Sequence, residues 1–114
     1  MPVAFYRYMS YPSEVSQVTG ERKVQSTNPT TQFATWYTTI RYDSAVTAQQ
    51  ELALSKSPTH RVGPIPANEM PDFDISLRSV APAFGHPGGG VEARTKSPVW
   101  LFGIWDFSNK DWTL

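Results

Sequence analysis

The alternation of apolar and polar side chains predicts a chain built mainly of short strands. Residues 3–9 (VAFYRYM) and 33–40 (FATWYTTI) are aromatic or β-branched along most of their length, which is typical of strands. Shorter strands are predicted at 23–26 and 60–65. Pro64 should confine the latter to a sheet edge, because proline cannot donate a hydrogen bond to a neighbouring strand.

Two short helices are expected between these strands. The first spans 12–19, since proline suits its first position and Gly20 suits its C-cap. The second begins at a cap supplied by Asp43-Ser44 and ends near Leu54, with apolar residues at helical spacing along one face. A polar loop at 27–32 connects the predicted strands at 23–26 and 33–40.

The C-terminal part of the chain is expected to contain a long loop and a closing hairpin. Residues 66–89 are rich in proline and read as an irregular excursion, and loops of that length are often functional. Three glycines at 88–90 precede a strand at 91–95. A turn at 96–98 and an apolar strand at 99–107 follow, so the two strands should pair as a hairpin.

This order of elements, with strands dominating, predicts one small α+β domain over residues 1–114. The chain has four Trp, five Tyr and six Phe, and each buried ring removes roughly 150–250 Å² from water. The absence of cysteine excludes a disulfide framework, a thiolate zinc site and a cysteine nucleophile. Zero net charge argues against sequence-independent binding of nucleic acid, which normally needs an excess of Lys and Arg.

Neither a metal site nor a membrane span is predicted. The two histidines, His60 and His86, are far apart in the sequence, and Asp72 with Asp74 would make a poor cation site alone. No apolar run approaches the roughly 20 residues of a membrane span, and the N-terminus lacks the layout of a signal peptide. The chain is therefore expected to stay in the cytoplasm, to be carried by another protein, or to be an excised piece of one.

Three features are candidates for chemistry. Arg7 interrupts an apolar strand, and its planar guanidinium suits a phosphate or carboxylate, although an edge strand would also let it face solvent. Residues 36–39 (WYTT) place two rings before two hydroxyls, which suits a stacked heterocycle and a bound ribose, although these are also ordinary strand formers. Glu92 follows the glycines, where it would either orient a ribose hydroxyl or face solvent on a hairpin.

The order of these features is similar to the Arg–Ser/Thr–Glu layout of ADP-ribosyltransferases. The segments YRYMS…E…TG (6–20), TWYTTIRYDSAVTAQQELAL (35–54) and VAPAFGHPGGGVEARTKSPV (80–99) resemble C-terminal toxin domains of bacterial Rhs-type and other polymorphic toxins. Several of those domains are known or predicted ADP-ribosyltransferases. The resemblance implies a split-sheet, ADP-ribosyltransferase-like fold whose cleft holds NAD as the substrate.

The resemblance also implies roles for particular residues. Arg7 would contact the ribose or a phosphate of NAD, and Glu92 would be catalytic. The remaining cofactor-binding candidates are hydroxyls that support the strand or the ribose and rings that stack on nicotinamide: Thr38 or Thr39, and Tyr37 or Tyr42.

The chain departs from the family pattern at two places. The family motif Ser-Thr-Ser is replaced by Tyr-Thr-Thr at 37–39, and Gly90 stands where many members carry a second acid. The second departure leaves the target open, protein or nucleic acid. A toxin of this kind would be secreted or delivered, would act in the target-cell cytoplasm, and would have a cognate immunity protein as partner.

Two other functions fit the sequence. A metal-independent ribonuclease toxin would use His60 or His86 as acid or base, with the scissile phosphate held by basic side chains: Arg7, Arg41 or Lys96. A non-enzymatic binding module would use the C-terminal tryptophans Trp100, Trp105 and Trp112, although Trp100 and residues 101–105 are expected to serve as core and C-terminal packing.

Overall fold

The computed structural model describes residues 4–25, 35–70, 77–95, 98–100 and 103–113. Within these residues the protein has two α-helices and several antiparallel sheets, which confirms the α+β class. The elements in chain order are β1 (Ala4–Met9), α1 (Pro12–Glu21), β2 (Lys23–Val24), β3 (Thr35–Tyr37), α2 (Ala45–Glu51), β4 (His60–Pro66), a 3₁₀ turn (Ala67–Glu69), β5 (Arg78–Ser79), β6 (Val91–Thr95), β7 (Val99–Trp100), β8 (Ile104–Asp106) and β9 (Asp111–Trp112).

The strands form three sheets, two of which meet at one point. The four-stranded sheet has the order β1-β4-β8-β9, the three-stranded sheet has the order β3-β6-β5, and β2 pairs with β7. Tyr6 of β1 and Thr38 at the end of β3 exchange two backbone hydrogen bonds of 2.8 and 2.9 Å. This bridge connects the four-stranded sheet to the three-stranded sheet.

The two faces of β1 bury into different clusters, as its alternation predicts. Phe5 and Met9 belong to the larger hydrophobic cluster, which also contains Ile65 and Ile104. Tyr8 belongs to a second cluster beside α2. Strand β1 is therefore covered on both faces.

Both predicted helices are present, but each ends at a different residue from the one expected. Helix α1 continues through Gly20, and the left-handed C-cap is Arg22 with φ of 59°, so the glycine cap was predicted wrongly. Helix α2 begins after Ser44, whose side chain accepts a hydrogen bond from the backbone N–H of Thr47 at 3.3 Å. It ends at Glu51 rather than near Leu54.

The prediction of an edge position for β4 is wrong, because β4 lies between β1 and β8. Strand β8 pairs with β4 only along the first three residues of β4, from His60 to Val62. Pro64 lies beyond that stretch, at the irregularity of the pairing with β1 between Ile65 and Val62, where it has no partner in the ladder. A proline is tolerated here because no second ladder at this point requires its missing N–H.

The predicted closing hairpin is also wrong. Strand β6 pairs with β3 and β5, whereas the residues after Pro98 are divided between β7, which pairs with β2, and β8, which pairs with β4. The excursion at 66–89 contains the 3₁₀ turn and β5. The predicted loop at 27–32, Asp72, Asp74 and Lys96 lie outside the described residues.

Candidate functional site

A pocket of about 410 Å³ lies where the two larger sheets meet. Its walls come from β1 and the start of α1, from β3, from the segment after α2, and from the region around β5 and β6. The lining residues include side chains of three sequence candidates that are far apart in the chain: Arg7, Thr38 and Glu92. The structure therefore brings these three residues to one cavity.

Arg7 is held in the pocket by two partners. Its Nε and Nη2 donate hydrogen bonds to the two carboxylate oxygens of Glu14 at 3.1 and 2.7 Å, a bidentate ion pair between β1 and α1. Its Nη1 donates to the backbone oxygen of Trp36 at 3.0 Å. The guanidinium is thereby fixed in orientation, since a planar fork with three such bonds has little rotational freedom.

Tyr37 and Thr38 form the part of the pocket contributed by β3. Both are buried, at 2% exposure each. The Oγ1 of Thr38 accepts a hydrogen bond from the backbone N–H of Ile40 at 3.2 Å. The hydroxyl of Tyr37 has no hydrogen-bond partner among the described residues, and burial raises the pKa of its phenol well above the usual value while the nearby charge of Arg7 opposes that rise.

Glu92 reaches the pocket from β6 and is paired with an arginine. Its Oε1 accepts a hydrogen bond from Nε of Arg78 at 2.6 Å, across the pairing of β5 with β6. The side chain of Arg78 is 63% exposed and that of Glu92 is 24% exposed. The arginine therefore lies on the solvent side of the pair, and the carboxylate lies closer to the cavity.

The ring of Trp36 also lines the pocket and is contacted by two cations. The guanidinium carbons of Arg78 and Arg94 lie 5.6 and 5.4 Å from its ring centroid. These distances are within the range of cation–π attraction. The aromatic wall of the pocket is therefore electropositive on the side of Glu92.

The glycines before β6 are required by protein packing. A Cβ on Gly88 would lie 2.5 Å from the backbone oxygen of Val80, and a Cβ on Gly90 would lie 2.7 Å from the hydroxyl of Tyr42. The backbone N–H of Gly90 donates to the oxygen of Glu51 at the end of α2. At Gly88 and Gly90, therefore, it is neighbouring protein atoms that approach the backbone closely, and not a ligand.

Two cofactor-binding candidates lie away from the pocket walls. Thr39 is half-buried beyond the end of β3. Tyr42 is buried, and its hydroxyl donates to Oε1 of Glu51 at 3.1 Å. Tyr8 contacts the backbone of Tyr42, and burial raises the pKa of Tyr8 to about 12.

Several pocket residues were missed by reasoning from the sequence. Glu14 lies in the first turn of α1, and its pairing with Arg7 depends on how that helix folds back over β1. Arg78, which pairs with the pocket residue Glu92 without lining the pocket itself, lies in the region predicted to be irregular. The apolar rim of the pocket is formed by two side chains that expose much of their surface, Tyr11 at 47% and Phe84 at 71%.

Apart from Arg7, those residues proposed for the two alternative functions that the structure describes lie outside the pocket lining. His60 Nδ1 is 2.8 Å from the hydroxyl of Thr59, and its Nε2 is 3.6 Å from Asp106. His86 pairs with Ala83 in a tight turn. Arg41 pairs with Asp43 at the surface.

Of the tryptophans expected to pack in the core, Trp100 lies at the surface and Trp105 is only half-buried. Trp100 is 65% exposed and Trp112 is 45% exposed, while Trp105 is half-buried and packs edge-on against Trp112. Trp100 lies in β7 and Trp112 lies in β9. Each of these strands is only two residues long and leaves its tryptophan ring at the surface.

The described part of the chain contains neither a cluster of metal-binding side chains nor a helix suited to cross a membrane. Among the described residues, no cluster of three or more His, Cys, Asp or Glu side chains is arranged to hold a metal ion. Nor does any helix in that part of the chain have the length and apolar character needed to cross a membrane.

Comparison of the chain with protein-family models, with curated proteins and with solved structures gave no match.

Proposed function

We propose that this chain is an NAD-dependent mono-ADP-ribosyltransferase of the polymorphic-toxin type, with the pocket as its NAD site. The observation that carries the proposal is the convergence of Arg7, Thr38 and Glu92 from three strands on one cavity. Its volume of about 410 Å³ lies within the range of small-molecule sites. The split-sheet, ADP-ribosyltransferase-like architecture is part of the same proposal.

In the proposed reaction, the bond between nicotinamide and the ribose breaks and its electron pair leaves with nicotinamide. The carboxylate of Glu92 holds the ribose 2′-hydroxyl and stabilises the positive charge that develops at the anomeric carbon. A nucleophilic atom of the target macromolecule then bonds to that carbon and loses its proton. Arg7 binds the phosphate or ribose oxygens and keeps the dinucleotide in place.

The ion pair between Glu92 and Arg78 is compatible with this role. Because the arginine side chain is largely exposed, it can move into solvent when a ribose hydroxyl approaches the carboxylate. An exposed pair of this kind contributes little stability, so exchanging it for a ligand contact has a small cost.

The location of the histidines favours the transferase over the ribonuclease. His60 is adjacent to Asp106 on the far side of β4, and His86 closes the turn that carries Phe84. Neither lines the pocket that contains Arg7, whose guanidinium the ribonuclease would need near its general base.

A labelled-NAD assay tests the proposal. The chain is incubated with NAD labelled in its adenylate part and with bacterial lysate, and label in macromolecules is measured. Glu92→Ala should lower transfer by about 10²–10³, because one preorganised electrostatic group is lost. Glu21→Ala is the matched control, since Glu21 is an exposed acid at the end of α1, and should transfer label at the wild-type rate.

Three outcomes separate the candidate functions. Label transfer that depends on Glu92 supports the transferase. Fragmentation of total RNA without NAD, run in parallel on a gel, would contradict it and support the ribonuclease. The absence of both activities, with loss of partner binding on replacement of Trp100, would support the binding module.

The cellular setting belongs to the same proposal. We expect the domain to be secreted or delivered and to act on a protein or nucleic acid in the cytoplasm of the target cell. A cognate immunity protein that covers the pocket would protect the producing cell.

A further inference from the structure

The hydroxyl of Tyr37 is a buried polar group without a partner in the described part of the chain. The residue is 2% exposed and belongs to the pocket wall. A buried donor that makes no hydrogen bond destabilises the folded state, and such a group in a native protein requires an explanation. A ligand that supplies the missing acceptor is one such explanation.

The ring of Tyr37 is unsuited to stacking. It packs in the larger hydrophobic cluster with Phe5, Met9 and Val62. Its faces are therefore covered by protein. Its phenolic oxygen, in contrast, has no hydrogen-bond partner among the described residues. A ligand would meet Tyr37 through a hydrogen bond.

Arg7, next to Tyr37, contributes donors of the same kind. A guanidinium has five N–H groups, and the bonds to Glu14 and Trp36 use three of them, so that two have no bond to the described residues. Burial raises the pKa of Tyr37, so the phenol stays protonated and acts as a donor near neutral pH. The Tyr37 hydroxyl and the Arg7 guanidinium thus offer hydrogen-bond donors to a ligand, beside the Glu14 carboxylate that already accepts from Arg7.

We infer that the Tyr37 hydroxyl donates a hydrogen bond to an anionic oxygen of the bound ligand, as part of one donor group with Arg7. The ligand class is a phosphate ester, and the inference rests on the proposed function in identifying it as the diphosphate of NAD. Because the hydroxyl is shielded from water by the surrounding protein, it loses no solvent hydrogen bond when a ligand oxygen displaces the neighbouring side chains and reaches it.

The test is Tyr37→Phe, which removes only the hydroxyl. Binding of ADP-ribose and of inorganic pyrophosphate is measured by calorimetry, and thermal unfolding is measured without ligand. We expect the affinity for both probes to fall about tenfold, as for the loss of a hydrogen bond to a charged group. The unfolding temperature should stay the same or rise, because an unsatisfied buried donor has been removed.

Tyr42→Phe is the matched control. Tyr42 is also buried, but its hydroxyl is bonded to Glu51, and it lies outside the pocket walls. Its loss should lower the unfolding temperature and leave the affinity for ADP-ribose unchanged. The two substitutions should therefore have opposite effects in the two measurements.

Two results would overturn the inference. A lower unfolding temperature for Tyr37→Phe would show that the hydroxyl has a partner within the protein, and an unchanged affinity would show that the ligand does not use it. If the unaltered chain binds neither probe, the inference also fails. If ADP-ribose binds and Tyr37→Phe weakens it, but no label is transferred from NAD, the inference stands and the proposed reaction fails.

Discussion

Arg61 is a charged side chain in the interior of the protein, with 1% of its surface exposed. Its Nη1 donates to the backbone oxygen of Tyr42 at 3.1 Å, and its guanidinium lies 5.8–5.9 Å from three rings, those of Tyr6, Trp105 and Trp112. Because Tyr6 also lines the pocket, Arg61 supports the pocket wall from behind. An ion pair between its Nη1 and Oδ1 of Asp43 at 3.6 Å, packing of its aliphatic stem and cation–π contacts offset the cost of burying the charge.

Replacing Arg61 should therefore destabilise the whole fold. We expect Arg61→Ala to lower the free energy of unfolding by at least about 2 kcal/mol, since it removes a large buried side chain together with its hydrogen bond. Arg41→Ala, at an exposed arginine, should change it by less than about 0.5 kcal/mol. Urea unfolding measures both, and equal changes would contradict a structural role for Arg61.

The contact between α2 and the glycine segment before β6 depends on the absence of side chains at that segment. A methyl group at Gly90 would lie 2.7 Å from the Tyr42 hydroxyl and 2.9 Å from the backbone oxygen of Glu51. We expect Gly90→Ala to destabilise the protein by about 1–3 kcal/mol, as overpacking of a well-packed interior does. Gly20→Ala should instead stabilise it by about 0.5–1 kcal/mol, because alanine is the better residue inside a helix.

Thermal unfolding of the two glycine variants decides this prediction. No heavy atom lies within 4 Å of the position that a Cβ on Gly20 would take, so its substitution introduces no clash. An equal shift of both variants in the same direction would show that the packing between α2 and β6 is looser than described.

The turn between β8 and β9 is held by one carboxylate. Asp106 accepts hydrogen bonds from the backbone N–H groups of Asn109 and Ser108, and these bonds hold the pKa of its carboxyl below the usual value. Its charged form is thus favoured in the folded state, so its contribution is present above the unfolded-state pKa of about 4 and is lost as the pH falls through the lower folded value.

Asp106→Asn should consequently flatten the acid side of the stability profile. Thermal unfolding between neutral pH and about pH 2 should show a smaller loss of stability on acidification for the variant than for the unaltered chain. An identical slope for the two proteins would assign the acid sensitivity to other carboxylates.

Local patterns in the sequence predicted elements better than their partners. The alternation of β1 and the cap at Ser44 are properties of neighbouring residues, and both appear as expected. The position of Pro64 and the pairing of β6 depend on where distant strands end. The hydrophobic period and the residue propensities of a segment contain no information about where its partner strands end. The central strand β4 was therefore predicted as an edge strand, and separate strands were predicted as a hairpin.

At the scale of the whole molecule, the sequence indicated which side chains to examine but not their immediate partners. Arg7, Thr38 and Glu92 were singled out by residue type and order, and they line one cavity. Glu14 and Arg78, which bind two of them, became visible only in the folded arrangement. Tyr42 looked equivalent to Tyr37 in the sequence, yet it lies against α2 because one tyrosine follows the strand and the other belongs to it.

Because the bridge between Tyr6 and Thr38 joins the two larger sheets, the width of the pocket depends on the angle between these sheets. Within the described residues, two backbone hydrogen bonds at this point link the sheets whose side chains form opposite walls. A small rotation about so narrow a junction would open or narrow the whole cavity while leaving each sheet intact. A molecule that contacts both walls would therefore fix the angle between the sheets. Its binding would restrict motion of the protein far beyond the atoms it contacts.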